Sequence, residues 1–415
     1  MNNGMRRRDF LKLCATTTIG ATVGVSFSPI QTCAALDKGY VLFGGSLPLT
    51  GTYGKVARLY KDAYEFYLET VNHKIVVAGK EYPLKFQLYD DENDPTKTAQ
   101  LTEKLLTVDK ADLLLSAYGT DPVMAQGSIC KKYNKLLING GAATSRLEEE
   151  FSGTIFTLVP TGDYYHKTLI DMVSRLAPPL KTAGIIVPDD PIYHEIGQAC
   201  EDQLKGFGIE TVFKDVIPMN TMELGSTVLK MQSKQIDMVV NTGWDKLLAS
   251  FVNEAMKYKL KFKFIDGGHV TLTPFLAESL GAKRRNICGT TFFLAESRTK
   301  DKYYGDSFEF DKKFKDKFGY ATEYHIAMAY MIPQLYDMIL KNADPKDPFN
   351  TDYIRKALFA MNDDLIWGKV RFNEKGRIIK DMLVVQFQGS ECKTEIIYPT
   401  ENATAKLVYP ADLLV

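Results

Sequence analysis

From Tyr40 onward the chain alternates short β-rich runs with longer helical patterns, and that alternation restricts it to largely parallel sheets flanked by helices. The strand candidates are Tyr40 to Phe43, Leu84 to Tyr89, Asp112 to Ser116, Leu136 to Ile138, Ala183 to Val187, Glu210 to Lys214, Met238 to Asn241 and Lys263 to Ile265. Most are apolar at successive positions, as strands buried on both faces must be. Helix starts are also legible. Asp94-Pro95-Thr96-Lys97 sets an acceptor for the free first-turn amides ahead of a proline whose missing N–H costs nothing there. Ala99, Leu101, Leu105 and Leu106 then supply that helix with a buried stripe. Gly206 and Gly208 close a helix that begins near Glu195.

At 415 residues the chain exceeds what one hydrophobic core usually serves. A weak doubling of the strand-helix pattern, broken around Leu158 to Gly162, indicates two similar lobes. After Gly289 the order changes. Long amphipathic helices over Asp306 to Phe318 and Ile326 to Lys341, and a shorter one over Asp352 to Met361, precede strands at Lys369 to Phe372 and Leu383 to Gln388. Such an insertion points to a chain that crosses back between lobes.

Lysine plus arginine and aspartate plus glutamate each total 51, which removes the broad attraction on which nucleic-acid binders depend. The N-terminus reads as an address. Arg7-Arg8-Asp9-Phe10-Leu11-Lys12 precedes a mostly apolar run from Leu13 to Ile30 and then Cys33-Ala34-Ala35, a fit to signal peptidase. The paired arginines resemble the twin-arginine export signal, so residues 1–35 are expected to be removed near Ala35 and the protein to reach the periplasm. Leu13 and Thr32 stand before Cys14 and Cys33, where a lipid-modified cysteine wants a small residue. Beyond residue 35 no apolar run is long enough to cross a bilayer. Cys130, Cys200, Cys288 and Cys392 are widely spaced with no CxxC pair, which argues against zinc and redox chemistry and favours buried free thiols.

Several spaced features together resemble the type I periplasmic binding proteins, in particular the leucine/isoleucine/valine-binding branch that serves ABC importers. They are Leu47-Pro48-Leu49-Thr50-Gly51 with Tyr53-Gly54, Asp90-Asp91-Glu92-Asn93-Asp94-Pro95, and Ser116 to Pro122, each following a strand. Gly140-Gly141-Ala142-Ala143-Thr144, Trp367-Gly368-Lys369-Val370-Arg371-Phe372 and Tyr409-Pro410 complete the set. The resemblance implies an α/β fold of two Rossmann-like lobes with parallel sheets, joined by a three-stranded hinge, with ligand in the cleft between them. It places crossovers near Leu158 to Gly162, Gly289 to Leu294 and Asp363 to Gly368. Lobe 1 is then 36–159 plus 291–363, and lobe 2 is 160–290 plus 364–415. The implied partners are a small-molecule ligand and an ABC permease in the membrane, with no cofactor; the alternative role on the same fold is a ligand-sensing receptor that passes occupancy to a membrane partner or regulator.

Ligands of doubly wound sheets bind beyond the carboxyl ends of the strands. Three loops of the first lobe lie there, Thr50 to Tyr53, Tyr118 to Asp121 and Ala142 to Ser145, all rich in small and hydroxyl residues. By the resemblance, Gly119, Thr120, Ala142, Ala143 and Thr144 hold a ligand carboxylate while Tyr53 and Tyr118 wall its side-chain pocket. Trp244 falls where the second lobe presents an aromatic residue, and Tyr164, Tyr165 and Tyr193 are secondary candidates. The departure from the family pattern is Gly268 in Asp266-Gly267-Gly268-His269, where amino-acid binders place an acid to neutralise the α-ammonium group. Asp245, Asp266 and Asp121 are the candidates to replace it. The ligand classes left open are a branched-chain or other apolar amino acid, an aromatic or aliphatic carboxylate, and a neutral amide.

No reactive constellation has acceptable spacing, so an enzyme is not expected. Gly44-Gly45-Ser46-Leu47-Pro48 has proline where a nucleophile elbow needs glycine, and His194-Glu195 lacks the second histidine of a zinc-protease motif at Gln198. The five histidines are scattered along the chain and read as surface or core residues.

Overall fold

The computed structural model describes residues 38–411, except 52, 220, 222 and 302–304. The export signal expected over residues 1–35 lies outside the described residues.

The first sheet comprises β1 (Val41–Leu47), β2 (Lys74–Val77), β3 (Lys80–Asp90), β4 (Leu113–Leu114), β5 (Leu137–Asn139) and β6 (Ile155–Thr157), in the order β2-β3-β1-β4-β5-β6. All neighbours are parallel except β2, which forms a hairpin with β3. That hairpin has no strong sequence signal, because Ala78 takes the first positive-φ turn position (φ 50°) ahead of Gly79 (φ 77°). The second sheet is built from β7 (Thr182–Pro188), β8 (Glu210–Ile217), β9 (Met238–Asn241), β10 (Phe264–Asp266) and β11 (Cys288–Thr291). Two short hairpins follow, β12 (Lys300–Asp301) with β13 (Gly305–Asp306) and β14 (Asp363–Leu365) with β15 (Gly368–Val370). The last strands, β16 (Leu383–Gln388) and β17 (Lys393–Tyr398), join the second sheet antiparallel, giving β17-β16-β11-β10-β9-β7-β8.

Each sheet therefore reverses its winding at one strand. β1 lies between β3 and β4, and β7 between β8 and β9. The loops leaving β1 and β4 in one sheet, and β7 and β9 in the other, flank the crevices that such reversals open.

Local chemistry sets the helices that frame those loops. Asp94 accepts from the amides of Thr96 (2.7 Å) and Lys97 (3.1 Å) and starts helix Pro95–Thr107, as its sequence requires. The same Asp-Pro signature at Asp190-Pro191 starts helix Pro191–Gly206 about one turn before Glu195. Asp306 caps Ser307–Phe318, and that helix is amphipathic as expected. Helix Tyr324–Leu340 is not: it is buried on nearly every side, since it packs on helix Gly54–Thr70 through contacts such as Phe66 with Tyr330. The chain thus returns to the first sheet after leaving the second.

The largest apolar cluster runs through both halves, from Phe43, Phe156 and Tyr336 to Ile185, Met238 and Phe264. Residues 372–378, assigned on sequence to the second lobe, lie against the edge of the first sheet. Thr157 bridges Arg377, Ile378 N–H donates to the Thr157 carbonyl (2.9 Å), and Phe372 meets Phe156 edge-on. The edge of β6 offers unpaired backbone groups, and this segment satisfies them before the chain enters β16. The four described cysteines are buried free thiols. No helix among the described residues is long and apolar enough to cross a membrane.

Candidate functional site

A cleft of about 900 Å³ opens between the carboxyl ends of the two sheets. Its first-sheet wall consists of three loops locked together by backbone contacts. Gly119 has φ 101°, and its N–H donates to the Gly141 carbonyl (3.0 Å). A Cβ on Gly141 would sit 2.1 Å from the Ala117 carbonyl oxygen, so only glycine permits this approach. The buried Asn139 side chain organises the next turn. Its Oδ1 accepts from Gly141 N–H (2.8 Å) and Ala142 N–H (3.1 Å), and its Nδ2 donates to the Ala142 carbonyl (2.8 Å). Tyr60 supports the loop from helix Gly54–Thr70 by donating to the Gly140 carbonyl (2.6 Å).

A further support comes from far along the chain. Arg377, 3% exposed, reaches the same loop with its whole guanidinium. Nε donates to Glu148 (3.0 Å), Nη1 to the carbonyls of Val159 (3.0 Å) and Ala143 (3.3 Å), and Nη2 to the Thr144 carbonyl (2.7 Å). Nothing in the local sequence around Arg377 marks this role, because its partners lie more than 200 residues earlier.

Once these bonds are made, the N–H groups of Gly119 and Ala142 are spent internally. Those of Thr120, Asp121, Ala143 and Thr144 donate to no partner among the described residues, and all four residues line the cleft. Thr120 and Asp121 begin helix Thr120–Lys132, so a positive helix pole and free amides belong to the same stretch of lining. The arrangement suits a carboxylate. The acidic run ahead of it is architectural: Asp90 accepts from Thr50 Oγ1 (2.7 Å), and Asp91 from Ser46 Oγ (2.8 Å) and Asn93 N–H (3.0 Å).

The seven first-lobe residues singled out on sequence, Tyr53, Tyr118, Gly119, Thr120, Ala142, Ala143 and Thr144, all line this one cleft. Tyr53 and Tyr118 lean on each other with ring centroids 5.9 Å apart. The two second-lobe residues fare differently. Trp244 is half-buried and does not line the cleft; its ring stands behind Tyr193 at 6.0 Å, and Tyr193 is the lining residue. Gly268 is buried behind His166, where an added Cβ would meet the Asn241 carbonyl at 2.8 Å. It too is absent from the cleft wall.

Of the three candidate acids, Asp266 is fully buried and already bound. It pairs with His166 Nδ1 (2.6 Å) and accepts from Gly268 N–H (2.8 Å). Asp245 accepts from the Lys246 amide (2.8 Å) and does not line the cleft. Asp121 lines it at an exposed position, as does Glu195, whose acidity burial and nearby Asp163 weaken. His269 leans on Tyr165 at 4.7 Å with its Nδ1 buried and unpartnered. Burial and the neighbouring His166 push its pKa down to about 3, so it is neutral.

The most buried part of the cleft is aromatic: Tyr165, Phe292, Tyr324 and His325 meet in sequence with centroids 5.3, 5.2 and 3.9 Å apart. Phe292, Tyr324 and His325 were not legible as site residues. Helix Tyr324–Leu340 reads as core, and only its first turn reaches the cleft.

A family model described as periplasmic binding protein matches residues 41–392. Leu/Ile/Val-binding protein homolog 8 of Brucella suis biovar 1 (strain 1330) is 25% identical over 257 residues, 60% of this chain and 62% of that protein. The alignment thus spans under two thirds of that relative's length. Among solved structures, the leucine-, isoleucine-, valine-, threonine- and alanine-binding protein of Brucella ovis superposes with a TM-score of 0.73 at 20% identity, covering 84% of this chain and 90% of that one. A solute-binding protein of an ABC transporter from R. palustris, in complex with benzoate, gives a TM-score of 0.68 at 18% identity over 91% and 99%.

Proposed function

This chain belongs to the periplasmic binding protein family, and on that premise we propose that it is an extracytoplasmic receptor that captures a small carboxylate and delivers it to an ABC importer. The observation that carries the reading is that four backbone amides without an internal acceptor, those of Thr120 and Asp121 at a helix start and of Ala143 and Thr144, belong to residues lining one cleft with aromatic walls. Free amides lining a cleft provide fixed donors for an anion without a side-chain charge. The proposed site combines Tyr53, Tyr118, Gly119, Thr120, Ala142, Ala143 and Thr144 from the first lobe with Tyr193 from the second. Trp244 backs Tyr193, and Gly268 shapes the turn behind them.

We assign lobe 1 to residues 36–159 plus 291–363, extended by 372–378, and lobe 2 to 160–290 plus the remainder of 364–415. Ligand contacts made to both lobes favour a closed state, which a membrane permease reads. The arginine pair and apolar run within residues 1–35 support export in the twin-arginine manner with removal near Ala35. The receptor leaves its ligand chemically unchanged.

The test is a thermal-shift screen of the purified chain against aliphatic, branched-chain and aromatic amino acids, aromatic and aliphatic carboxylates, and small amides. A ligand bound only by the folded state raises the melting temperature by mass action. A shift with carboxylates and none with the matching amides is expected. A response to amides alone would refute the carboxylate assignment, and conversion of the bound solute on long incubation would refute the receptor role.

A further inference from the structure

We propose that the ligand is a ring-hydroxylated aromatic carboxylate without an α-ammonium group, and that His325, positioned by Glu323, reads its ring hydroxyl. The inference deepens the carboxylate-receptor reading and rests on it.

Two observations leave an ammonium group in the interior of the cleft without a carboxylate partner. Asp266, the acid beside the position where the family pattern calls for one, is already held by His166 and the Gly268 amide. Of the acids that do line the cleft, Asp121 and Glu195 are exposed, and the half-buried Asp190 is engaged in capping Ile192 N–H (3.1 Å). Farther in, the lining residues Val159, Tyr165, Phe292 and Met328 are at most 9% exposed and carry no anionic group. A buried ammonium facing them would go unpaired, which is costly, whereas an aromatic ring would find edge-to-face partners.

The hydroxyl reading follows from the one imidazole in that wall. Both Glu323 oxygens lie 3.0 Å from His325 Nδ1, and a carboxylate only accepts, so the proton sits on Nδ1. Nδ1 is thus taken up by Glu323, and Nε2 is the imidazole nitrogen that faces the cleft lining. It lies 3.4 Å from Tyr118 Oη, a long hydrogen bond. Burial pushes the Tyr118 phenol up to about 12, so it keeps its proton as a donor. Both groups line the cleft, and Tyr118 lies two residues before the free amide of Thr120. A ligand hydroxyl that bridges the two from the cleft side, replacing that long contact, donates to His325 Nε2 and accepts from Tyr118, while the ring packs against Phe292 and Tyr324. An aliphatic amino acid offers no group for this position.

The test is calorimetric titration of the purified chain with benzoate, its 2-, 3- and 4-hydroxy derivatives, cyclohexanecarboxylate, phenylalanine and leucine. At least one hydroxybenzoate should bind about tenfold more tightly than benzoate, the weight of one hydrogen bond. Phenylalanine should bind more weakly than benzoate. In His325→Leu the preference for the hydroxylated ligand over benzoate should fall to within about twofold, with the melting temperature of the unliganded variant reporting its fold. Glu323→Gln, which frees the imidazole tautomer, should reduce the same preference. Equal affinity for benzoate and all three hydroxybenzoates would overturn the hydroxyl assignment. Leucine or phenylalanine binding more tightly than every aromatic acid would overturn the ligand class while leaving the carboxylate receptor intact. Failure of the whole panel would count against both.

Discussion

Arg377 makes the sharpest demand on this account of the cleft. Its guanidinium is 3% exposed and bonds Glu148 and the carbonyls of Ala143, Thr144 and Val159, all within 3.3 Å. Arg377→Ala leaves three carbonyls and a carboxylate without their shared donor. Removing one partner of a buried charged network typically costs about 3–5 kcal/mol, less than a sum over the individual bonds because they are not additive. Arg377→Lys keeps the charge, but one ammonium cannot span four acceptors, so it should restore less than half of the loss. Urea unfolding followed by the fluorescence of the two tryptophans, Trp244 and Trp367, measures the stability term. Hydrogen exchange of the amides from 142 to 148 measures whether the carboxylate loop has loosened. Both variants should exchange faster there than the parent, and ligand affinity should fall by about tenfold or more. A loss below about 1 kcal/mol in Arg377→Ala, with unchanged exchange in the loop, would refute the claim that this residue holds the cleft loop after β5 in place.

Gly141→Ala sets a Cβ 2.1 Å from the Ala117 carbonyl and forces the two loops apart, so ligand affinity should drop by at least about tenfold in titration. Tyr193→Ala should weaken binding more than Trp244→Ala, because Tyr193 lines the cleft and Trp244 only backs it; the reverse order would return Trp244 to the site. For His269 the sign follows from a pKa depressed from 6.5 to about 3 in the folded chain. The unfolded chain binds the proton more readily, so this contribution to stability is complete above pH 6.5 and is lost as the pH falls toward 3. His269→Gln should therefore flatten the decline of the urea midpoint across that window, and an unaltered slope would place the acid sensitivity elsewhere.

The strand runs were legible because central parallel strands are apolar on both faces, and β9 occupies the residues expected for it, Met238–Asn241. Strands that escaped notice had weaker signatures. β2 is partly exposed and joined to β3 through a turn lacking the usual asparagine or aspartate, and β17 lies at a sheet edge with a mixed pattern. The first-lobe site was legible for a related reason. Its loops need glycine, small and hydroxyl residues in short stretches directly after strands, and these stretches are local. The second-lobe half was not. Trp244 and Gly268 both occupy loops at the right strand ends, yet the side chains that meet the cleft depend on how the helix from Pro191 and the turn at Asp266 pack.

By itself the sequence determined the alternating α/β architecture, the capped helix starts and the amide-rich loops, since each depends on contacts among residues close in the chain. Only the tertiary structure decided that Asp266 is consumed by His166, 100 residues away, and that Arg377 fastens a loop more than 200 residues before it. It also decided that His325 stands in the cleft beside Tyr118. Such pairings carry no periodicity or local signature, because a buried polar group needs a partner of matching chemistry but places no demand on where along the chain that partner is encoded.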